Sequence, residues 1–253
     1  MRALRILLIV VVILGGLFVI ADRVAVGFAE DKAAEKIKSS EGLADTPDVS
    51  IEGFPFLTQV AGGELDDVKI GIKDYEASTG GTAAATDKIR IDDLSAEMHG
   101  VVFSGDYSSA TANSATGTAT IAYDELLKTA KSDPIDLGLG VTAKVTGLSD
   151  GGNGKIKVAV EISRGGTKLP KPVYVLSSVT VHGDTINVHA DEIPKNVDVM
   201  GVSVPLPESL VRNVTDFKQK IDELPGGIQL DKVEAAEDGV EITVKGSDVN
   251  LVG

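Results

Sequence analysis

Between Ile135 and Ile162 the chain keeps a period of two almost without a break. Ile135, Leu137, Leu139, Val141, Ala143 and Val145 alternate with Asp, Gly, Thr and Lys. The turn-forming "SDGGNG" follows, and Ile156, Val158, Val160 and Ile162 alternate back. A helix would scatter these apolar residues around its circumference, whereas a strand puts them all on one face. The pattern predicts a long antiparallel hairpin with one apolar and one wet face. Shorter versions recur. Val68, Ile70 and Ile72 alternate with Lys69, Gly71 and Lys73; Ile89 and Ile91 begin another strand; Ala119, Ile121 and Tyr123 suggest a third. A second hairpin is predicted from Val173 to Ala190, turning at His182-Gly183-Asp184. A third runs from Ile228 to Val244, turning at Glu237-Asp238-Gly239.

So much one-faced strand needs something to cover it. Two helices are predicted to do so. Asp22 to Ser40 carries Ala21, Ala25, Ala29, Ala33 and Ile37 as a ridge at spacing four, with Val24 and Phe28 beside it, and Glu41-Gly42 ends it. The later stretch "LPESLVRNVTDFKQKIDELPGG" places Leu210, Val214, Phe217, Ile221 and Leu224 on one helical stripe. Pro207 suits its first turn and Pro225-Gly226-Gly227 its stop. A short helix is possible around Asp124 to Lys131. The low-complexity segments "ASTGGTAAATDK" and "SSATANSATGTAT" read as flexible loops or weak edge strands. The expected class is α+β: a large curved antiparallel sheet of roughly eight or more strands, wrapped on an N-terminal helix and a second late helix. Its interior is either a packed core or a cavity.

The first residues set the compartment. Arg2 and Arg5 precede an unbroken apolar run, Ile6 to Ala21, of 16 residues. That length lies between a signal-peptide core and a full span of about 20 residues. Residues 1–21 read equally as signal peptide or membrane anchor, and 22–253 as one body. Both readings put the body outside the cytoplasmic membrane, with the basic residues inside. The net charge of −14 argues against nucleic acid and against electrostatic adhesion to anionic headgroups. Lipid contact would have to work through apolar burial. The absence of cysteine excludes disulfides, thiolate metal sites and a cysteine-linked lipid anchor.

Catalytic patterns are missing. His99, His182 and His189 show no metal-ligand spacing, and no nucleophile elbow or phosphate loop is present. Asp66-Asp67 and Asp92-Asp93 are neighbours on strands, so their carboxylates point to opposite faces. The expectation is a protein without enzyme activity, metal or other cofactor. A hydrolase would need two carboxylates to converge in a cleft.

One stretch stands out in a chain with only six phenylalanines: "VSIEGFPFLTQVAGGELDDVKI", from Val49 to Ile70. Pro55 forces Phe54 extended, and two rings spaced by two in an extended chain point the same way. This reads as a rigid wedge that plugs one end of the core, or as one that lines or gates an apolar pocket. The Ala-rich helix "ADRVAVGFAEDKAAEKI", then "IEGFPFLTQVAGGELDDVKI", then the closing "GIQLDKVEAAEDGVEITVKGSDVNL" together resemble the LmeA-like phospholipid-binding proteins of actinobacterial envelopes. The resemblance covers nearly the whole body and is most specific in the GFPFLTQ–GGELDDV block. It implies phospholipid as partner, a curved sheet wrapped along a helix similar to tubular lipid-binding folds, and, in some members, a link to mannan-bearing glycolipids. Some relatives carry a lipobox cysteine; here the tether would be Ile6–Ala21.

The expected function is that of an exported envelope protein at the outer face of the cytoplasmic membrane, binding phospholipid in an apolar groove or cavity for transfer or for glycolipid assembly. Expected lipid contacts are Phe54, Pro55, Phe56, Leu57, Leu139, Val141, Val214, Phe217 and Ile221. The rival reading is a non-catalytic scaffold with a packed core and an acidic exterior.

Overall fold

The computed structural model describes residues 2–78, 88–106, 109–129, 134–138, 140–199, 202–205, 207–220 and 228–252. Its first element is a single helix, α1 (Arg2–Glu41), in which the apolar run continues unbroken into the predicted Ala-rich helix. Gly42, at a positive φ of 65°, follows it. Then come β1 (Asp48–Glu52), the short α2 (Phe56–Gly62), β2 (Glu64–Ser78), β3 (Lys88–Phe103) and β4 (Ala110–Ala122). The helix α3 (Tyr123–Thr129) turns the chain out of this sheet.

A second sheet follows: β5 (Ile135–Gly138), β6 (Val141–Gly152), β7 (Lys155–Arg164), β8 (Thr167–Lys168), β9 (Val173–His182) and β10 (Thr185–Glu192). After the small ladder of β11 (Asn196–Val199) and β12 (Val202–Pro205) come α4 (Glu208–Thr215) and β13 (Phe217–Lys220). The chain then returns with β14 (Ile228–Ala235) and β15 (Gly239–Val252) to close the first sheet. That sheet runs β1-β2-β3-β4-β15-β14 and the second β13-β10-β9-β7-β6-β5, with β8 beside β7. The pairings in both are antiparallel. The α+β class stands: antiparallel sheets, one of them strongly curled into a half-barrel, with an N-terminal helix and a few shorter ones.

The three predicted hairpins form. β6 and β7 turn at Asn153-Gly154, both at positive φ, as a two-residue hairpin loop requires. β9 and β10 turn at Gly183-Asp184, and β14 and β15 beyond Ala236.

Four expectations need correction. The strand content divides into two main sheets rather than one, because β5 to β10 and β13 pair among themselves and not with the strands of the first sheet. The late helix stops at Thr215, and Phe217–Lys220 instead pairs with β10. Val214 and Thr215 are β-branched and weaken the helix end, Asp216 is extended, and its carboxylate takes the Ala190 N–H at 2.8 Å, drawing the chain onto β10. The "SSATANSATGTAT" segment is no loop or edge: it is β4, hydrogen-bonded to β3 on one side and β15 on the other. Small residues suit that central place because Ala110 and Ala112 are buried there. Finally, Ala25 and Ala29 of the expected ridge do pack against the core, but the deepest burial on α1 is at Asp22, Val26 and Ala34, while Val24 and Phe28, expected beside the ridge, face out. "ASTGGTAAATDK" falls mostly outside the described residues.

Two apolar clusters hold the body. One joins the second sheet to β14 and β15: Ile156, Val158, Val160, Ile162, Val173, Val175 and Ala190 meet Leu230, Val233, Ala235 and Val240. The other sits under α1 and α2 and contains Val26, Phe56, Leu65, Met98, Val101, Ala112 and Val249. β15 belongs to both, with Val240 in the first and Val249 in the second.

Candidate functional site

The GFPF block is held in place by α1. Pro55 precedes α2 and has no side chain able to cap its N–H groups. Asp22 of α1 does so instead: its Oδ1 accepts the Leu57 N–H at 2.8 Å, and its other oxygen takes the Arg23 guanidinium at 2.6 Å. The Asp22 side chain is fully buried. Burial alone would raise its pKa, but the backbone N–H of Leu57, the Arg23 side chain and the backbone N–H of Phe56 outweigh it and hold the carboxyl below its usual value. A helix N-terminus favours the same charge.

Other contacts lock the block. Gln59 reaches back with Nε2 to the Glu52 carbonyl at 3.3 Å, and its Oε1 accepts the Asp66 N–H at 2.7 Å. Glu30 of α1 accepts the Ile51 N–H at 2.8 Å. Gly53 has φ +94°, and a Cβ there would lie 2.5 Å from the Gln59 amide nitrogen. Only glycine fits.

The two phenylalanines do not point the same way. Phe56 begins α2 and is buried in the cluster under α1, so it plugs that cluster. Phe54 is 57% exposed, with the Arg23 guanidinium 5.2 Å from its ring centroid. The rings diverge because the chain enters a helix at Phe56 rather than staying extended. Pro55, joined to Phe54 by a cis peptide, is half-buried, and Leu57 is exposed.

Between the two clusters the six-stranded sheet carries an apolar stripe. Register places Ile70, Ala96, Gly117 and Val244 side by side on β2, β3, β4 and β15. The next row is Ile72, Leu94, Ala119 and Ile242. Directly paired residues share a face, so both rows lie on the face that buries Met98 at one end and Val240 at the other. The members are half-buried. At Gly117 a Cβ would meet the Val244 methyl at 2.9 Å, so the Val244 side chain lies across the glycine. The opposite face is polar: Lys69, Glu97, Thr116 and Lys245 share one row, with Lys69 bridged to Glu52 at 2.9 Å. From Val240 to Val249 the strand covers about 30 Å, comparable to the whole hydrocarbon core of a bilayer.

The expected contact residues fall in different places. Phe54–Leu57 stand at the α1–α2 corner. Val141 packs, half-buried, against the cluster of the second sheet. α4 packs against β10 and β6, bringing the elements of Val214 and Val141 together, while Phe217 pairs with Val188 in the sheet itself. Leu139 and Ile221 lie outside the described residues. The stripe of Leu94, Ala96, Gly117 and Ala119 was missed. Its signal was present in the alternation of Val68, Ile70 and Ile72 on β2, but β4, two strands away in the same sheet, is too poor in large residues between Ala110 and Thr118 to show it. A pocket of about 500 Å³ also opens on the second sheet, lined by Gly151, Lys157, Tyr174, Leu176, Glu192, Ile193 and Pro194; it is open, with a cation and an anion at its rim.

The fold creates two histidine–carboxylate pairs that the sequence did not reveal. His99 contacts Asp67 across the β2–β3 ladder. His189 lies 2.8 Å from Asp216 and within hydrogen-bond reach of Arg212, which also holds Glu208. Both histidines are more than half exposed, and no group of three or more ligating side chains is found among the described residues.

The LmeA-like phospholipid-binding family model matches residues 20–245, nearly the whole chain beyond the apolar run. No match was found among curated proteins or solved structures. The chain belongs to the LmeA-like phospholipid-binding family.

Proposed function

We propose that this family member is an exported envelope protein, tethered by Ile6–Ala21 at the outer face of the membrane, that holds phospholipid acyl chains along the inner stripe of its six-stranded sheet. The observation that carries this is the stripe itself. Eight aliphatic or small residues in two registered rows stay half-buried, Ile242 and Val244 packing against one cluster and Ile70 against the other, in a chain whose family binds phospholipid. Each methylene laid against such a surface contributes about 0.8 kcal/mol, so ten suffice without a charged clamp. Ala96 and Ala119 present only a methyl group where larger residues would fill the space, while Val244 lies across Gly117. We extend the reading to transfer of lipid, including supply to glycolipid assembly, with the half-buried stripe as the surface that carries the acyl chains. No catalytic role is assigned to the two exposed histidine–carboxylate pairs.

The scaffold reading keeps one observation in its favour, the closely filled valine cluster of the second sheet. A single experiment separates the two. The full chain is placed in phosphatidylcholine vesicles doped with a phospholipid bearing a photoactivatable acyl terminus, irradiated and digested. Adducts on the β3 and β4 peptides, at Leu94–Met98 and Ala115–Ile121, are expected. Adducts confined to the Ile6–Ala21 helix would support the scaffold.

A further inference from the structure

The corner that α1 builds with the GFPF block has a fixed distance from the apolar run. Ala21 ends the run; Asp22 and Arg23 are the next two residues on the same unbroken helix, about 1.5 and 3 Å farther along its axis. Asp22 binds the Leu57 N–H and Arg23 sits over Phe54. Phe54 and Leu57 are therefore pinned at the level where the apolar run ends. Both are exposed, as is Val24 at 67%, and the run from Leu4 to Ile20 is exposed along its length. At the level where the run ends, exposed apolar side chains thus stand on both the helix and the body.

We infer that Phe54, Leu57 and Val24, with Arg23 among them, form a membrane-docking surface that seats the body on the phospholipid headgroup layer. This deepens the reading above and rests on Ile6–Ala21 lying in the bilayer. The headgroup region is several ångströms deep, which spans the level of all four residues. An aromatic ring and a half-exposed guanidinium suit that layer, the ring at the acyl boundary and the cation near phosphate. The chemistry favours a lipid surface over an acidic protein partner: three exposed apolar side chains accompany one cation, which lies over Phe54 and is already shared with Asp22. The body carries a large net negative charge, so apolar seating is the available means of contact. Docking also sets the α1–α2 end of the sheet against the source of lipid, with the inner stripe leading away from it.

The protein has no tryptophan, so a single introduced one reports alone. Full-length Phe54→Trp, Leu57→Trp and Tyr174→Trp are reconstituted into vesicles of phosphatidylcholine and phosphatidylglycerol, with and without bromine-labelled acyl chains. Tyr174 is exposed on β9, away from the corner. The expected result is a blue-shifted emission at positions 54 and 57, quenched at least twofold by the brominated lipid, and no quenching at 174. Equal, weak quenching at all three positions overturns the inference. Should Phe54→Trp fail to fold by circular dichroism, Leu57→Trp decides alone. Quenching at the corner without acyl adducts on β3 and β4 keeps docking and removes the stripe; adducts without quenching do the reverse.

Discussion

The two sheets are written in the same alternating code, yet their inner faces end differently. On β7 the inward residues Ile156, Val158, Val160 and Ile162 are all branched and all buried. On β3 and β4 the inward residues Leu94, Ala96, Gly117 and Ala119 have the same period and the same pairing, but stay half-buried. The difference is volume. Branched side chains on facing strands fill the space between layers and close it. Alanine fills less of it, and at Gly117 the space is taken by Val244. Alternation therefore tells which face turns inward, and side-chain size tells whether that face becomes core or surface for a guest.

Charging the closed face should have the largest effect. Val175, fully buried at the centre of its cluster, replaced by Asp is expected to cost more than about 3 kcal/mol and to abolish cooperative melting near the wild-type temperature. Filling the open face should do something else. Ala119→Phe is expected to keep the fold while displacing the contact of about two methylenes, worth about 1.6 kcal/mol or roughly tenfold in acyl photolabelling. If that variant instead unfolds like Val175→Asp, the contrast between the faces collapses. A smaller loss is expected where the sheets meet: Tyr123 donates to the Ala236 carbonyl at 2.8 Å, and burial pushes its pKa up to about 12. Tyr123→Phe should cost about 1 kcal/mol, a melting shift of roughly 2–4 °C.

The smallest effect should be local and should appear with pH. The Asp22 carboxyl is held below its usual value, so its clamp on α2 is fully present above about pH 4. It weakens as pH falls through the lowered value and the carboxylate is protonated. Hydrogen exchange at the Leu57 amide, corrected for intrinsic rate, should accelerate there first, with β7 amides unchanged. Asp22→Asn should show the same fast exchange at neutral pH. Unchanged protection of Leu57 in that variant would remove the clamp from the account.

The fold was legible wherever large residues marked the period. β6, β7, β9, β10, β14 and β15 follow directly from Val and Ile spacing. Of β4 only the end was legible, at Ala119 and Ile121; from Ala110 to Thr118 Ala, Ser, Thr and Gly alternate too weakly in hydropathy to distinguish a central strand from a loop, and the neighbouring strands make it one. The late helix was over-read for the opposite reason. Phe217 fits a helical stripe, but the edge of β10 and the Asp216 carboxylate compete for the chain there and win. The division into two sheets depends on where α3 redirects the backbone, which no local period encodes. For the site, the GFPF block was recognisable as special, but not its division into a buried Phe56 and an exposed Phe54. That depends on Asp22, 35 residues away in sequence.

The unbroken passage of α1 from its apolar run into the body has a mechanical consequence. With Ile6–Ala21 as the proposed tether, a flexible joint would let the body swivel, whereas a continuous helix stapled to α2 and β1 would act as a rigid mast. Its 16-residue apolar run spans about 24 Å, shorter than the roughly 30 Å hydrocarbon core, and so leaves little freedom to lean. Local bilayer thickness would then set the posture of the whole molecule, and with it the angle at which the sheet meets the lipid.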